Sequence, residues 1–409
     1  MKSNHKQFSI LWLVALVITG FYGCTTTTVY DAGKEPVEYD TAQPVDVHAS
    51  IPSNEGQKIH VLAVGINEYN DPAILSTTFA DRDAEAFAGL WRNSVPHRNI
   101  HLLTNKKATL SAIRRAIQGE LSKAGQEDSV YLFFAGHGDT VELKGDKTTS
   151  GLLPYDARRN QVETYYQLPT LMADLKNGVR ARNLLLVLDC CHSGAAGLIR
   201  GVENVYRTIS GERLGTLVRH TEDYNWGVLT ACRPEEKSRA SVKYQNGFFT
   251  HWLNYGLMGF ADVKENDGSG NSDGVVTFKE LYDFVYERVK TSTRGTQHPV
   301  VSGVFHQETP MSWVTSRLPV LEDAEESTAI LKIDVEPKDA VVTCDQKRLP
   351  ANRNGIYAKL KPGTHHIRIA RKGYETQAGQ VSLIAGEKLV VVVRLNKEGT
   401  ARDVHIQAF

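Results

Sequence analysis

Two short segments carry the residues best able to do chemistry in this chain. An apolar run, Val130–Ala135 (VYLFFA), opens into Gly136-His137-Gly138, and a second, Leu184–Leu188 (LLLVL), opens into Asp189-Cys190-Cys191-His192-Ser193-Gly194. A cysteine attacks as its thiolate, so it needs a nearby base and an exposed turn where a substrate can reach it. His137 can be that base for Cys191, and the glycines beside it let a peptide backbone come close. The backbone N–H groups of Gly138 and Cys191 can point at one oxygen and so form an oxyanion hole for acyl transfer. This chemistry requires no cofactor. A metal reading of Cys190, Cys191, His192 and His137 is weak, because adjacent side chains leaving a strand point in opposite directions and cannot chelate as a CxxC pair does. Gly-His-Gly turns also occur without function, so spacing alone leaves the pair a candidate.

Both segments end strands, and the surrounding pattern says what kind. Ile59–Val64 is an apolar strand, Asp81–Trp91 has helical spacing, Ile100–Leu103 is a short strand, and Thr109 caps a helix bearing Ile113, Ile117 and Leu121. Leu168–Leu175 and Phe248–Leu257 are helices, and Trp226–Thr230 is a strand. Alternating strands and helices with fully apolar strands predict an α/β fold with a mostly parallel sheet covered on both faces. In such sheets functional groups gather outside the carboxyl ends of the strands, where His137 and Cys191 stand. After an acidic stretch at about 320–326, Leu331–Val335, Ala340–Cys344, His365–Ala370 and Leu389–Leu395 read as strands of a small all-β module.

The chain has 409 residues, 41% hydrophobic and 23% charged, with Lys+Arg and Asp+Glu both 47. That balance offers no basic excess for nucleic acid. Lys2, His5 and Lys6, the apolar stretch from Phe8 to Gly23, and then Cys24 describe a secretory signal of lipoprotein type. An uncleaved anchor helix is the alternative, and Phe21 and Tyr22 depart from the usual lipoprotein pattern. Acylation at Cys24 would attach an exported protein to a bacterial membrane, periplasmic or on the cell surface. The expected organisation is a signal at 1–24, a polar tether at 25–57, an α/β domain at 58–318, a linker at 319–328, the β domain at 329–397 and a tail at 398–409. The five cysteines, Cys24, Cys190, Cys191, Cys232 and Cys344, show no disulfide framework spacing.

The segments VYLFFAGHGD and LLLVLDCCHSG, in that order, resemble the caspase-like cysteine peptidases, and their metacaspase branch most closely. VGINEY (64–69), DRDAEAF (81–87), VLTACRPEEKS (228–238) and GFFTHWLNYGL (247–257) extend the resemblance over about 58–305. Cys232 stands where that family usually has Ser. The resemblance implies a caspase-like three-layer α/β/α sandwich with mostly parallel sheet, plus the small C-terminal all-β domain. It implies an endopeptidase acting on protein or peptide substrates, with His137 as base and Cys191 as nucleophile. Cys190 holds the variable place between Asp189 and Cys191 and reads as packing. Asp83 and Asp189 then line an acidic pocket for Arg or Lys, although each also fits an ordinary capping role. The long Arg- and Gly-bearing connection between Gly194 and Trp226 is where relatives are processed. Two other readings remain open, an inactive surface binding scaffold and a Cys-dependent hydrolase of other acyl groups.

A separate segment, Ser269–Glu280, resembles an EF-hand loop. Asn271, Asp273, Gly274, Thr277 and Glu280 fall at positions three, five, six, nine and twelve, which suggests calcium. Position one is Ser269 in place of Asp, with Asp267 as a possible substitute ligand, and the alternative is a turn capped by Glu280. The β module resembles the PEGA domain through VEPKDAVV (335–342), LKPGTHHIRIARKGYE (360–375) and GEKLVVVVRL.

Overall fold

The computed structural model describes residues 58–92, 95–143, 147–191, 225–233, 236–264, 269–303, 305–314, 328–352, 355–398 and 405–408. At 140–143, 147–148, 191, 303, 352 and 405–408 it describes the backbone alone. Cys24, the lipid-anchor segment, Asp267 and the Arg-rich part of the 194–226 connection lie outside the described residues. Among the described residues no helix is long and apolar enough to cross a membrane. The described chain divides into two compact units, one before and one after the 315–327 segment.

The first unit is built on a sheet of β1 (Ile59–Gly65), β2 (Ile100–Thr104), β3 (Ser129–Leu143), β6 (Asn183–Cys191), β7 (Asn225–Thr230) and β11 (Val300–Gly303) in the order β11-β7-β6-β3-β1-β2. The pairings β1/β2, β1/β3, β3/β6 and β6/β7 are parallel, and β11 closes the β7 edge antiparallel. Successive side chains of a strand face opposite ways. Val61, Ala63, Tyr131, Phe133, Leu185, Val187 and Leu229 therefore pack on one face. There they meet α1 (Ala80–Leu90), α4 (Phe248–Tyr255) and α5 (Phe278–Ser292) through Phe87, Phe249, Trp252, Leu281 and Phe284. Leu62, Val64, Leu132, Phe134, Leu184, Leu186 and Leu188 pack on the other, against α2 (Leu110–Arg115) and α3 (Leu168–Gly178) through Ile113, Leu171, Met172 and Leu175. Helices thus cover a mostly parallel sheet on both faces, the three-layer arrangement expected. Thr109 caps α2 by accepting the Ala112 N–H at 3.2 Å.

One local expectation changes. The Gly136-His137-Gly138 segment is not a turn that ends a strand. β3 runs on through it to Leu143, leaving β6 after His137 and pairing antiparallel with β4 (Lys147–Leu152), Gly138 opposite Leu152. β5 (Tyr166–Gln167) pairs with β4 and leads into α3. The physical reason is a second ladder that takes up the backbone where the first stops.

The second unit consists of strands, in two sheets. One has the order β16-β17-β13-β20-β21 and contains β13 (Ala329–Glu336), β16 (Ala351–Asn352), β17 (Gly355–Leu360), β20 (Lys388–Arg394) and β21 (His405–Ala408). The other has the order β15-β14-β18-β19, from β14 (Val341–Cys344), β15 (Lys347–Arg348), β18 (Gly363–Ala370) and β19 (Gln377–Leu383). Their inner residues, among them Leu331, Ile333, Val342, Ile369, Val381 and Val393, form one core.

Candidate active site

The β3/β6 register brings the two candidate positions together. His137 pairs with Cys191, Gly136 with Cys190 and Ala135 with Asp189. Neighbouring strands lie about 4.8 Å apart, so the His137 and Cys191 backbones are immediate neighbours. Of Cys191 only this backbone place, the last residue of β6, is described. Gly138, expected to share an oxyanion hole with it, is buried at the point where β3 turns from β6 to β4. Cys190 is 6% exposed and packs in the α2/α3 side of the core, as a packing residue should. Cys232 is buried too, with its thiol 3.5 Å from the Glu236 carbonyl.

His137 is held on three sides. Its N–H donates to the Tyr69 hydroxyl at 2.7 Å, its ring stacks on Tyr69 with centroids 5.3 Å apart, and its Nε2 lies 2.9 Å from the Leu75 carbonyl. A carbonyl only accepts, so Nε2 carries the proton and Nδ1 keeps its lone pair. Burial lowers the His137 pKa to about 4 against a raising contribution from the Leu75 carbonyl, which leaves a neutral imidazole at neutral pH. Gly136 makes room for this arrangement, since a Cβ there would sit 3.0 Å from the Tyr69 hydroxyl.

Asp83 and Asp189 converge although they come from different elements. Asp83, in the first turn of α1, is 3% exposed, and its Oδ1 accepts the Asn246 side-chain amide and the Gly247 N–H, both at 2.9 Å. Asp189, near the end of β6, is 7% exposed and accepts hydroxyl protons from Ser238 at Oδ1 and Thr250 at Oδ2, both at 2.6 Å. Gly247 lies between them. A Cβ on it would sit 2.7 Å from Asp189 Oδ2 and 3.4 Å from Asp83 Oδ2. Burial raises both carboxyl pKa values, and the charge of Asp189 raises that of Asp83 further. Among the described residues neither has a cationic partner. The motifs around Ser238, Asn246, Gly247 and Thr250 were visible in the sequence, but their hydroxyl and amide contacts were not. Leu75 acts through its backbone, so no residue-type signal marked it, and Tyr69, although inside VGINEY, was not read as a support of His137.

The EF-hand-like loop is assembled differently from the expected ligand set. Gly274 takes the left-handed φ of 91° that a sixth position needs. Asn271 and Asp273 are exposed and bonded to each other, the Asn271 amide donating to Asp273 Oδ2 at 3.0 Å. The carboxylate of Asp262 accepts the Asp273 and Gly274 N–H groups at 3.1 and 3.0 Å. Glu280 is buried and its Oε2 accepts the Thr277 N–H and hydroxyl at 2.8 and 2.9 Å, a capping box at the start of α5. Glu280 Oε1 has no partner. The carboxylates therefore do not converge on one point, and Glu280 serves the helix cap, the alternative role read from the sequence.

Comparison with known proteins agrees with the motif order. Residues 62–198 match the metacaspase, peptidase C14 domain, and residues 328–399 match the PEGA domain. Metacaspase-1 of Eremothecium gossypii is 25% identical over 285 residues, 62% of this chain, and the match spans 60% of that relative's length. Among solved structures, a Geobacter sulfurreducens protein is similar at 18% identity and a TM-score of 0.41, covering 60% of this chain and 94% of that one. Caspase-1 from Spodoptera frugiperda is similar at 13% identity and a TM-score of 0.39, covering 68% and 99%. The chain thus holds a segment that matches the metacaspase, peptidase C14 domain and, after it, one that matches the PEGA domain.

Proposed function

We propose that the protein is a cysteine endopeptidase that cleaves after Arg or Lys. The observation that carries this reading is the pair of buried carboxylates of Asp83 in α1 and Asp189 in β6, which have no cationic partner among the described residues, Asp189 standing two residues before Cys191. A buried anionic pair is costly unless a cation completes it, and a guanidinium or ammonium group of a substrate supplies that cation. With the basic side chain seated there, its carbonyl carbon is addressed by Cys191. His137 Nδ1 takes the thiol proton, the thiolate sulfur attacks the carbonyl carbon, and the N–H groups of Gly138 and Cys191 hold the resulting oxyanion. The imidazolium then gives its proton to the leaving amine as the C–N bond breaks, leaving a thioester. Water, deprotonated by His137, attacks the thioester, the C–S bond breaks and the thiol is regenerated. The Leu75 carbonyl fixes the tautomer this sequence needs. The alternative of an inactive binding scaffold explains the hydrogen bonds of the two carboxylates but not why two buried acids face each other.

Two further parts belong to the same proposal. Cys24 carries a lipid anchor, which places the enzyme on a bacterial membrane after export. Calcium binds the Asn271, Asp273, Thr277 and Glu280 loop only weakly, because Glu280 must leave the α5 cap before the carboxylates converge, and it does not enter the chemistry. The central test compares wild type, Cys191→Ala and Cys190→Ala on fluorogenic peptides ending in Arg, Lys or Asp. The expected result is activity on Arg and Lys peptides that vanishes in Cys191→Ala and largely survives in Cys190→Ala. Equal activity in wild type and Cys191→Ala would overturn the assignment.

A further inference from the structure

The second unit holds a cluster that the peptidase chemistry does not use. β14 ends at Cys344, and Asp345 and Gln346, with left-handed φ of 46° and 68°, turn the chain into β15. β18 runs antiparallel beside β14, with Cys344 opposite Ile367, and this register carries His365 to the turn. The donor atoms of Cys344, Asp345 and His365 all lie within 4.8 Å of one another. His365 Nδ1 is 2.7 Å from Asp345 Oδ2, and the Cys344 sulfur is 3.9 Å from the same oxygen. Donors around a tetrahedral zinc-type ion sit roughly 3.5 Å apart, given metal–ligand distances of about 2.0–2.3 Å. The two measured separations bracket that value.

Each of the three donors is also aimed. His365 Nε2 lies 2.8 Å from the Lys361 carbonyl, so it donates its N–H there and turns Nδ1 toward the cluster, where it is a ligand once its proton leaves. Metal-binding histidines are oriented by this kind of outer contact. Asp345 Oδ1 accepts the His366 N–H at 2.8 Å, which leaves Oδ2 facing the other two donors. Cys344 is 0% exposed and fixed by the β core, whereas Asp345 is exposed and opens the cluster to solvent. A soft sulfur, an imidazole and a solvent-exposed carboxylate match the preferences of Zn2+ far better than those of Ca2+ or Mg2+.

We propose that Cys344, Asp345 and His365 form a three-ligand site for a zinc-type divalent ion, with a water as fourth ligand. Binding forms one bond each to sulfur, nitrogen and oxygen. It releases to solvent the thiol proton of Cys344 and the proton held between His365 Nδ1 and Asp345 Oδ2. The ion ties the β14–β15 turn to β18 and gives the β unit a metal-dependent surface.

The purified full-length protein, stripped with chelator and titrated with CoCl2, tests this. One equivalent of Co2+ should bind with a thiolate-to-cobalt charge-transfer band, and Zn2+ should abolish the band by displacement. The band should persist in Cys191→Ala, which removes the proposed nucleophile, and disappear in Cys344→Ser. His365→Ala, a change at the edge of the β unit, should keep the chelator-treated melting temperature and weaken Co2+ binding at least tenfold. Absence of the band in wild type, its survival in Cys344→Ser, or unchanged affinity in a folded His365→Ala would each overturn the site.

Discussion

Replacing Asp189 by Asn should move stability and activity in opposite directions. The amide keeps an acceptor for the Ser238 or Thr250 hydroxyl, each of which now bonds Asp189 at 2.6 Å, and the other hydroxyl can rotate to accept from the new NH2. The fold therefore loses little, while the charge is gone. A charged partner removed from a desolvated ion pair costs about 2–5 kcal/mol. Asp83 remains as a second anion, so the lower part of that range applies, about 2.7 kcal/mol, or a hundredfold loss of kcat/KM on an Arg peptide. In the free enzyme the same change relieves a buried charge and the repulsion it exerts on Asp83. Relief of about 1 kcal/mol raises the melting temperature of a domain of this size by roughly 2–4 °C. The pH sign follows from the raised folded pKa values. The neutral carboxyls are fully tolerated below about pH 4, and stability is lost as pH rises through the folded pKa. The melting advantage of Asp189→Asn should therefore be absent near pH 4 and grow toward pH 7. Calorimetry across that range and peptide kinetics measure both effects. A parallel fall of melting temperature and activity would show that Asp189 is a structural cap, and full activity on Arg peptides would remove it from recognition.

Under the proposed recognition the pocket should set the acid limb of the pH–rate profile, because burial raises both carboxyl pKa values and only ionised carboxyls attract the substrate cation. Asp83→Asn should move that limb of kcat/KM to lower pH, and an unmoved limb would assign it to another group. Calcium at millimolar concentration should raise the melting temperature modestly, and Ser269→Asp, which restores the first ligand position, should tighten binding about tenfold or more. Equal melting curves in calcium and chelator for both proteins would reject the calcium loop. Alkylation of Cys191 by iodoacetamide should accelerate severalfold when a small guanidinium compound fills the pocket, read as intact mass in wild type against Cys191→Ala. A rate that is unchanged or slowed would disprove activation by the bound cation.

How much of this could be read in the sequence depended on whether the information was local. VYLFFA and LLLVL announce buried parallel strands because both of their faces are covered, and the α1 and α2 periodicities show which side faces the sheet. The ladder that carries β3 past His137 was hidden, because its partner β4, KTTSGL, is polar and resembles a loop. β17 and β19 in the second unit escaped for a similar reason. QAGQVSL mixes Gly and Gln with half-buried positions and breaks the alternation that marks a strand. The His137 and Cys191 pairing was legible because each stands at the end of its own apolar run. The supports of the pocket were not. Ser238 and Thr250 lie 49 and 61 residues from Asp189 in sequence, and neither hydroxyl is distinctive by type. The Leu75 carbonyl belongs to the backbone, where any residue would serve.

The proposed pocket would let one substrate group serve two purposes. A thiol near two carboxylates is held toward its neutral form, because each negative charge disfavours another. His137, neutral and stripped of water, does not by itself offset that, since an imidazolium formed beside it is penalised by burial. On the proposed mechanism the free enzyme should thus hold little thiolate. A guanidinium seated between Asp83 and Asp189 changes both conditions at once. It cancels the anionic field on the thiol and completes the two buried carboxylates, so binding of the basic side chain lowers the cost of proton transfer from Cys191 to His137. Specificity and activation then follow from one contact. An acidic or neutral side chain leaves the pocket charge uncancelled and meets an enzyme whose nucleophile is still protonated. In a hydrolase of this proposed kind, such coupling would restrain reaction with the wrong chain through the electrostatics of the sheet end.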